Sequence, residues 1–234
     1  MRLEEYRFTE YYHQYITIEA DVLTDQLSDH FEVHEDDCFA LCSCYCAPDG
    51  LLEFNVLSIG PSWETCTRGL ETQEMLGIFT IDQVFDKEAR IAEPSFAMIA
   101  KNVPFMEEID KDYDEDFLNT RFDQRLDNMR DLAYPDIVLT GIIVEQSLAE
   151  YEMRITGVKG PFLTGTLEEE PEEDVGIHMD DPLWALPYLY DGECHLYAMY
   201  AGENLSDDEM NRRDQIIQEM NRYGITFNGI SLRN

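Results

Sequence analysis

The sequence predicts an α+β protein in which mostly antiparallel strands and separate amphipathic helices build two β-rich lobes, or one continuous domain. Three observations point there. Period-two alternation recurs toward both ends of the chain, helix-capping signals stand between the alternating stretches, and no regular strand–helix–strand repeat is visible. With 234 residues, 44% of them hydrophobic and 12% aromatic, the chain can bury a real core, which offsets the disorder its charge alone would favour.

Taken in order, Ile16, Ile18 and Ala20 alternate against Tyr15, Thr17 and Glu19, a strand signature. Residues 39–46 and 51–59 form two strand-like runs about "APDG", whose Pro-Asp-Gly supplies a turn, so a hairpin is expected. From 79 to 92 the pattern is helical: Thr80 and Gln83 fit a capping box, with Phe79 and Val84 placed as a hydrophobic staple. A short helix is expected from Pro94 through residue 102. Leu118, Phe122, Leu126 and Met129 then form an apolar stripe that predicts a helix over 114–132, its Asp-rich start suiting the positive end of the helix dipole. Strands follow at about 136–145, 149–157 and 161–167, then an acidic loop or linker "EEEPEED" at 168–174, and a buried strand in "GECHLYAMYAG". Near the C-terminus Ser206 and Glu209 make a capping box, Gly224 a helix stop, and "ITFNGISL" a last strand. The expected organisation is an N-terminal lobe over 1–105, an acidic loop and amphipathic helix over 106–133, and a C-terminal lobe over 134–234.

Charge dominates the composition: 50 Asp and Glu against 16 Lys and Arg, a net charge of −34. Such a field repels nucleic acid and anionic membrane and favours a basic protein partner. No basic, apolar leader and no run of about 18 apolar residues is present, so a cytoplasmic protein is expected, its six cysteines kept as thiols. Imitation of DNA is limited by density. A chain of this mass exposes roughly 11,000 Å², about one net charge per 320 Å², whereas duplex DNA carries about one per 110 Å². Mimicry therefore requires the acids to gather on one face.

The most conspicuous chemical pattern is Cys42, Cys44 and Cys46 at strict alternation, with Cys38 four residues earlier. On one strand face the three stand about 6.6–7 Å apart in a line, which does not converge as a tetrahedral zinc site must. Packing as small hydrophobes is the better reading. His30, His34 and Cys38 have i, i+4 spacing, but their stretch is not helical in pattern, and Cys66, Cys194 and His195 could join only through tertiary contacts. No cofactor is expected. Asp110, Asp112, Asp114 and Asp116 alternate like calcium-loop ligands, yet neither frame supplies the Gly and Glu that an EF-hand needs. Asp136 and Glu145 faintly match a metal-dependent nuclease pattern, with Ser147 where its lysine belongs. Cys194 beside His195 is no dyad, since strand neighbours point to opposite faces.

The best interface candidate is "GIHMDDPLWALPYLYDG", which combines Asp180, Asp181, Trp184, Tyr188, Tyr190 and Asp191. Aromatics anchor and carboxylates steer. Together with Asp110, Asp112, Asp114 and Asp116, these residues are the expected contacts of a non-enzymatic acidic protein that neutralises a basic partner. That partner would be a nuclease toxin or a DNA-binding protein, and the chain an immunity protein, a defence-system inhibitor or a DNA mimic. The alternative is an enzyme or metal-binding protein with a site assembled from scattered Cys, His and carboxylates.

Overall fold

A computed structural model describes residues 1–20, 34–64, 66, 68–69, 77–144, 147–160, 162–172, 176–190 and 193–200. His30, Glu145, Asp191 and everything expected beyond residue 200 lie outside this set, as do the side chains of Tyr188 and Tyr190. The fold is α+β with mostly antiparallel sheet. Spatial proximity divides the chain into two units: Met1–Tyr113 with Leu132–Pro135, and Asp114–Asp131 with the residues from Asp136 onward.

The first unit opens with a 3-10 turn, Leu3–Glu5, and a single-turn helix α1, Phe8–Tyr11. Its sheet contains β1 (Tyr15–Glu19), β2 (Phe39–Cys46), β3 (Leu52–Gly60), β4 (Arg68–Gly69), β5 (Ile78–Thr80) and β6 (Ala89–Ile91). The order is β4-β3-β2-β1-β6, with β5 also paired to β3. The β2–β3 hairpin turns where Pro-Asp-Gly predicts, and Gly50 takes φ 90°, a conformation that costs glycine little. Alternation along β2 sorts its side chains. Cys42, Cys44 and Cys46, all fully buried, join Ile16, Ile18, Phe54 and Val56 in one apolar core, while Leu41, Ser43 and Tyr45 take the opposite face. Burial pushes the Cys42 and Cys44 thiols well up from their ordinary range, so they are inert packing groups.

The capping box at Thr80 forms, with the Thr80 N–H donating to Gln83 Oε1 at 2.9 Å. However, the helix expected over 79–92 is only one turn, α2 (Ile81–Val84). Pairing of Ala89 and Ile91 with Ile18 and Ile16 of β1 claims the rest as strand. The next helix is longer than expected: α3 runs Phe96–Asp110, capped by Ser95, and continues through Pro104. Its one fully buried residue is polar. Asn102 accepts from Ser43 Oγ at 3.2 Å and from Asn55 Nδ2 at 3.5 Å, and donates to the Tyr15 hydroxyl at 3.5 Å. Phe105 meets Tyr45 edge-on at 5.0 Å. The helix therefore docks on the second face of the sheet through an amide network.

In the second unit, α4 (Glu115–Arg121) ends at Phe122, where φ −96° and ψ 0° leave the helical region, and Asp123 starts a separate 3-10 turn, Gln124–Leu126. The continuous helix expected over 114–132 is therefore broken. Arg121 is fully buried and forks onto Asp136 at 3.0 and 2.7 Å, pinning the helix end to the strand that follows.

That strand begins a barrel of β7 (Ile137–Val144), β8 (Ser147–Lys159), β9 (Phe162–Leu167), β10 (Leu183–Tyr190) and β11 (Glu193–Tyr200), closed in the order β10-β11-β7-β8-β9. Five strands joined as a meander leave the first and last pointing the same way. The β7–β11 closure is accordingly parallel, at Tyr197↔Gly141, while every other pairing is antiparallel. Val138, Met153, Ile155, Leu167, Leu183 and Ala185 are buried. At Gly165 a Cβ would stand 2.1 Å from the Arg154 carbonyl oxygen, so only glycine permits this β8–β9 approach.

Candidate functional site: exposed carboxylates at the C-terminal end of α3

α3 breaks a local rule at its C-terminal end. A helix C-terminus carries partial negative charge and favours cations, yet the last turn of α3 holds Glu107, Glu108 and Asp110 and no base. Glu107 and Glu108 are exposed, as is Asp112 just beyond. Lys111, at the C-cap, ion-pairs with Glu108, which offsets part of the cost. Each uncompensated acid there costs roughly 0.3–1 kcal/mol.

The four alternating aspartates separate by role. Asp110 is half-buried with Oδ2 3.4 Å from His13 Nε2, so it ties the end of α3 to the turn before β1. Asp114 caps α4, accepting from the Phe117 N–H at 2.7 Å. Asp112 and Asp116 are exposed. Sequence reasoning missed their neighbours Glu107, Glu108 and Glu115, which are equally exposed. The acid-rich run "EEIDKDYDED" is the signal that contains them; calcium-loop spacing picks out only its aspartates.

The second candidate segment is more strand than loop. Residues 183–190 form β10, with Pro187 inside it. Among the described residues β9 pairs β10 at Leu183, Trp184 and Ala185 and not at Pro187, so the proline costs no described ladder bond on that side. Trp184 is half-buried, packs on Phe162 at 5.0 Å and lies under the Lys159 ammonium at 5.0 Å, so it belongs to the barrel wall. Asp181 holds the preceding turn, accepting from the His178 N–H at 2.9 Å. Glu170 takes His178 Nδ1 at 2.7 Å and the Met179 N–H at 2.9 Å, and the His178 contact holds the Glu170 carboxyl below the usual range. Asp180 is exposed.

On the outside of the barrel, Glu150 and Glu152 are exposed on β8, and Glu152 lies opposite Glu168, whose N–H donates to the Glu152 carbonyl at 2.9 Å. Like charges placed directly opposite are unfavourable. Arg154 relieves this with two bonds to Glu168 at 2.8 and 2.7 Å.

The chemical candidates resolve differently. Asp136, proposed as a nuclease ligand in the weakest sequence match, is consumed by Arg121. Cys194 and His195 line a cavity of about 140 Å³ with Glu150, Glu193 and the buried Thr140, whose hydroxyl has no hydrogen-bond partner among the described residues. Burial raises the Cys194 thiol, and Arg125 opposes that shift. Among the described residues no group of three or more His, Cys, Asp or Glu is placed to hold a metal ion, and no helix among them is long and apolar enough to cross a membrane. Comparison with known proteins finds no matching family model, no matching curated protein and no matching solved structure.

Proposed function

We propose that the chain is a non-enzymatic acidic interaction protein that binds and neutralises a basic partner protein, such as a nuclease toxin or a DNA-binding protein. The observation that carries this reading is the end of α3. Glu107 and Glu108 stand where the helix dipole penalises them and where lysine would stabilise the fold. A local choice that opposes the fold is expected where function requires it. Asp112, in the same unit, extends the exposed run. Net charge of −34 adds long-range steering of a cationic partner.

In the first unit the carboxylates expected to make contact are therefore Glu107, Glu108 and Asp112; in the second, Glu115, Asp116 and Asp180 are exposed candidates of their own. Asp110, Asp114 and Asp181 hold local structure. The test is a titration of the chain into a panel of folded basic nucleases of pI above about 9, read both as binding and as lost nuclease activity at low and high salt. The reading expects stoichiometric inhibition of at least one nuclease, with affinity falling as salt shortens the Debye length from about 30 Å at 0.01 M to about 8 Å at 0.15 M. Binding that is indifferent to salt contradicts it.

A further inference from the structure

The first unit contains a groove of about 720 Å³ between β6 and α3, lined by Thr17, Leu41, Trp63, Arg90, Met98 and Lys101 among others. Small-molecule sites span about 300–1,000 Å³ and combine apolar walls with a few convergent polar groups. Here the polar groups are unusual for this protein. Acids outnumber bases 50 to 16, and Arg2, Lys87, Lys111, Arg121, Arg125, Arg130 and Arg154 each have a carboxylate within 4.0 Å. Among the described residues Arg90 and Lys101 have none, and both line this one groove. Arg7 and Lys159 share that property but do not line it.

Arg90 is also held in a useful orientation. Its guanidinium carbon lies 4.3 Å from the Trp63 ring centroid, and Trp63 packs against Phe39 at 4.5 Å. With its carbon over the indole, the guanidinium keeps N–H donors for a planar anion, which a carboxylate matches with two parallel bonds. Leu41, Met98 and Pro94 supply apolar wall beside it. Glu64 and Glu93 also line the groove, so its formal lining charge is zero. In a chain of net −34, so neutral a lining disfavours a polyanion.

We propose that this groove binds a small amphipathic monocarboxylate, with its head on Arg90 and Lys101 and its apolar body along Trp63, Leu41 and Met98. This site stands apart from the exposed carboxylates and does not depend on their role. The probe is 2-naphthoate, titrated into the full chain and followed in the indole region of a 15N-correlated spectrum, where the two tryptophans give two signals. The neutral analogue 2-naphthalenemethanol and the variants Arg90→Gln, Lys101→Gln and Arg7→Gln form the comparison. The expected result is a saturable shift of Trp63 alone, with Kd below about 1 mM. The alcohol and the Arg90 and Lys101 variants should bind about three- to tenfold more weakly, with Arg7→Gln unchanged. The Trp63 signal before ligand is added reports that the first unit of each variant remains folded. No saturable Trp63 shift, equal binding of the alcohol, or equal loss in Arg7→Gln overturns the proposal.

Discussion

Replacing Arg121 with methionine should destabilise the second unit by about 3–5 kcal/mol, because it strands a buried carboxylate. Arg121 is 0% exposed and Asp136 4%, and the pair is joined by bonds of 3.0 and 2.7 Å. At roughly 4 Å between charge centres and an effective dielectric near 20, their attraction is about 4 kcal/mol. Each ion gives up several kcal/mol of hydration to be there, so the intact pair is worth little net, whereas either ion alone is costly. The loss is a large share of the ~5–15 kcal/mol that holds a domain together. Asp136→Leu should cost a similar amount, while the double variant Arg121→Met/Asp136→Leu should return close to the parent. Urea unfolding of the four proteins completes a double-mutant cycle. The expected coupling is above about 3 kcal/mol. Additive losses, or a loss under about 1 kcal/mol in Arg121→Met, would refute the assignment of a paired, desolvated ion couple.

Other expected outcomes follow from single features. Gly165→Ala forces a methyl to 2.1 Å from the Arg154 carbonyl oxygen, and should cost about 3 kcal/mol in urea unfolding, at the upper end of overpacking penalties. Ellman's reagent should titrate Cys38 and Cys194 first, the two half-buried thiols, and should reach Cys42, Cys44 and Cys66 only on unfolding, since burial pushes Cys66 up to about 12 and the other two well above the ordinary range. The same shifts set the alkaline limit. Because the folded values lie above the unfolded value of about 9, stability is flat below that pH and falls as pH rises past it. Cys42 and Cys44 both add to that loss, which pH-dependent urea midpoints would show. Glu107→Lys should raise the melting temperature by relieving the helix dipole; a decrease would remove the strain on which the functional reading rests.

The parts legible in the sequence were those in which short-range pattern and tertiary structure agree. The β2–β3 hairpin combines alternation with a Pro-Asp-Gly turn, so the cysteines could be read as one buried face before the core was seen. α2 shows the limit. A capping box marks where a helix starts but not how far it runs, and β1 claimed Ala89–Ile91. The break after Arg121 depends on a partner 15 residues away, and the stripe Leu118, Phe122, Leu126 and Met129 carries no trace of it; Phe122 is in fact exposed. Pro187 hid β10, because its tolerance depends on where β9 begins. In the candidate surface the aspartates were visible, but which of them serve as caps and tethers was not. The β6–α3 groove draws on residues from Thr17 to Lys101 and had no local signature.

The central claim is that position, and not charge alone, makes the carboxylates at the end of α3 a binding surface. The most direct measurement compares two variants with equal net charge, −31 in place of −34, against the same nuclease panel. One is Glu107→Gln/Glu108→Gln/Asp112→Asn, and the other is Glu35→Gln/Asp36→Asn/Glu88→Gln, whose residues are also exposed. The account predicts at least about a tenfold weaker affinity for the first set, or about 1.4 kcal/mol, with the second within about twofold of the parent. Equal losses in the two sets would contradict it and leave only a diffuse acidic field.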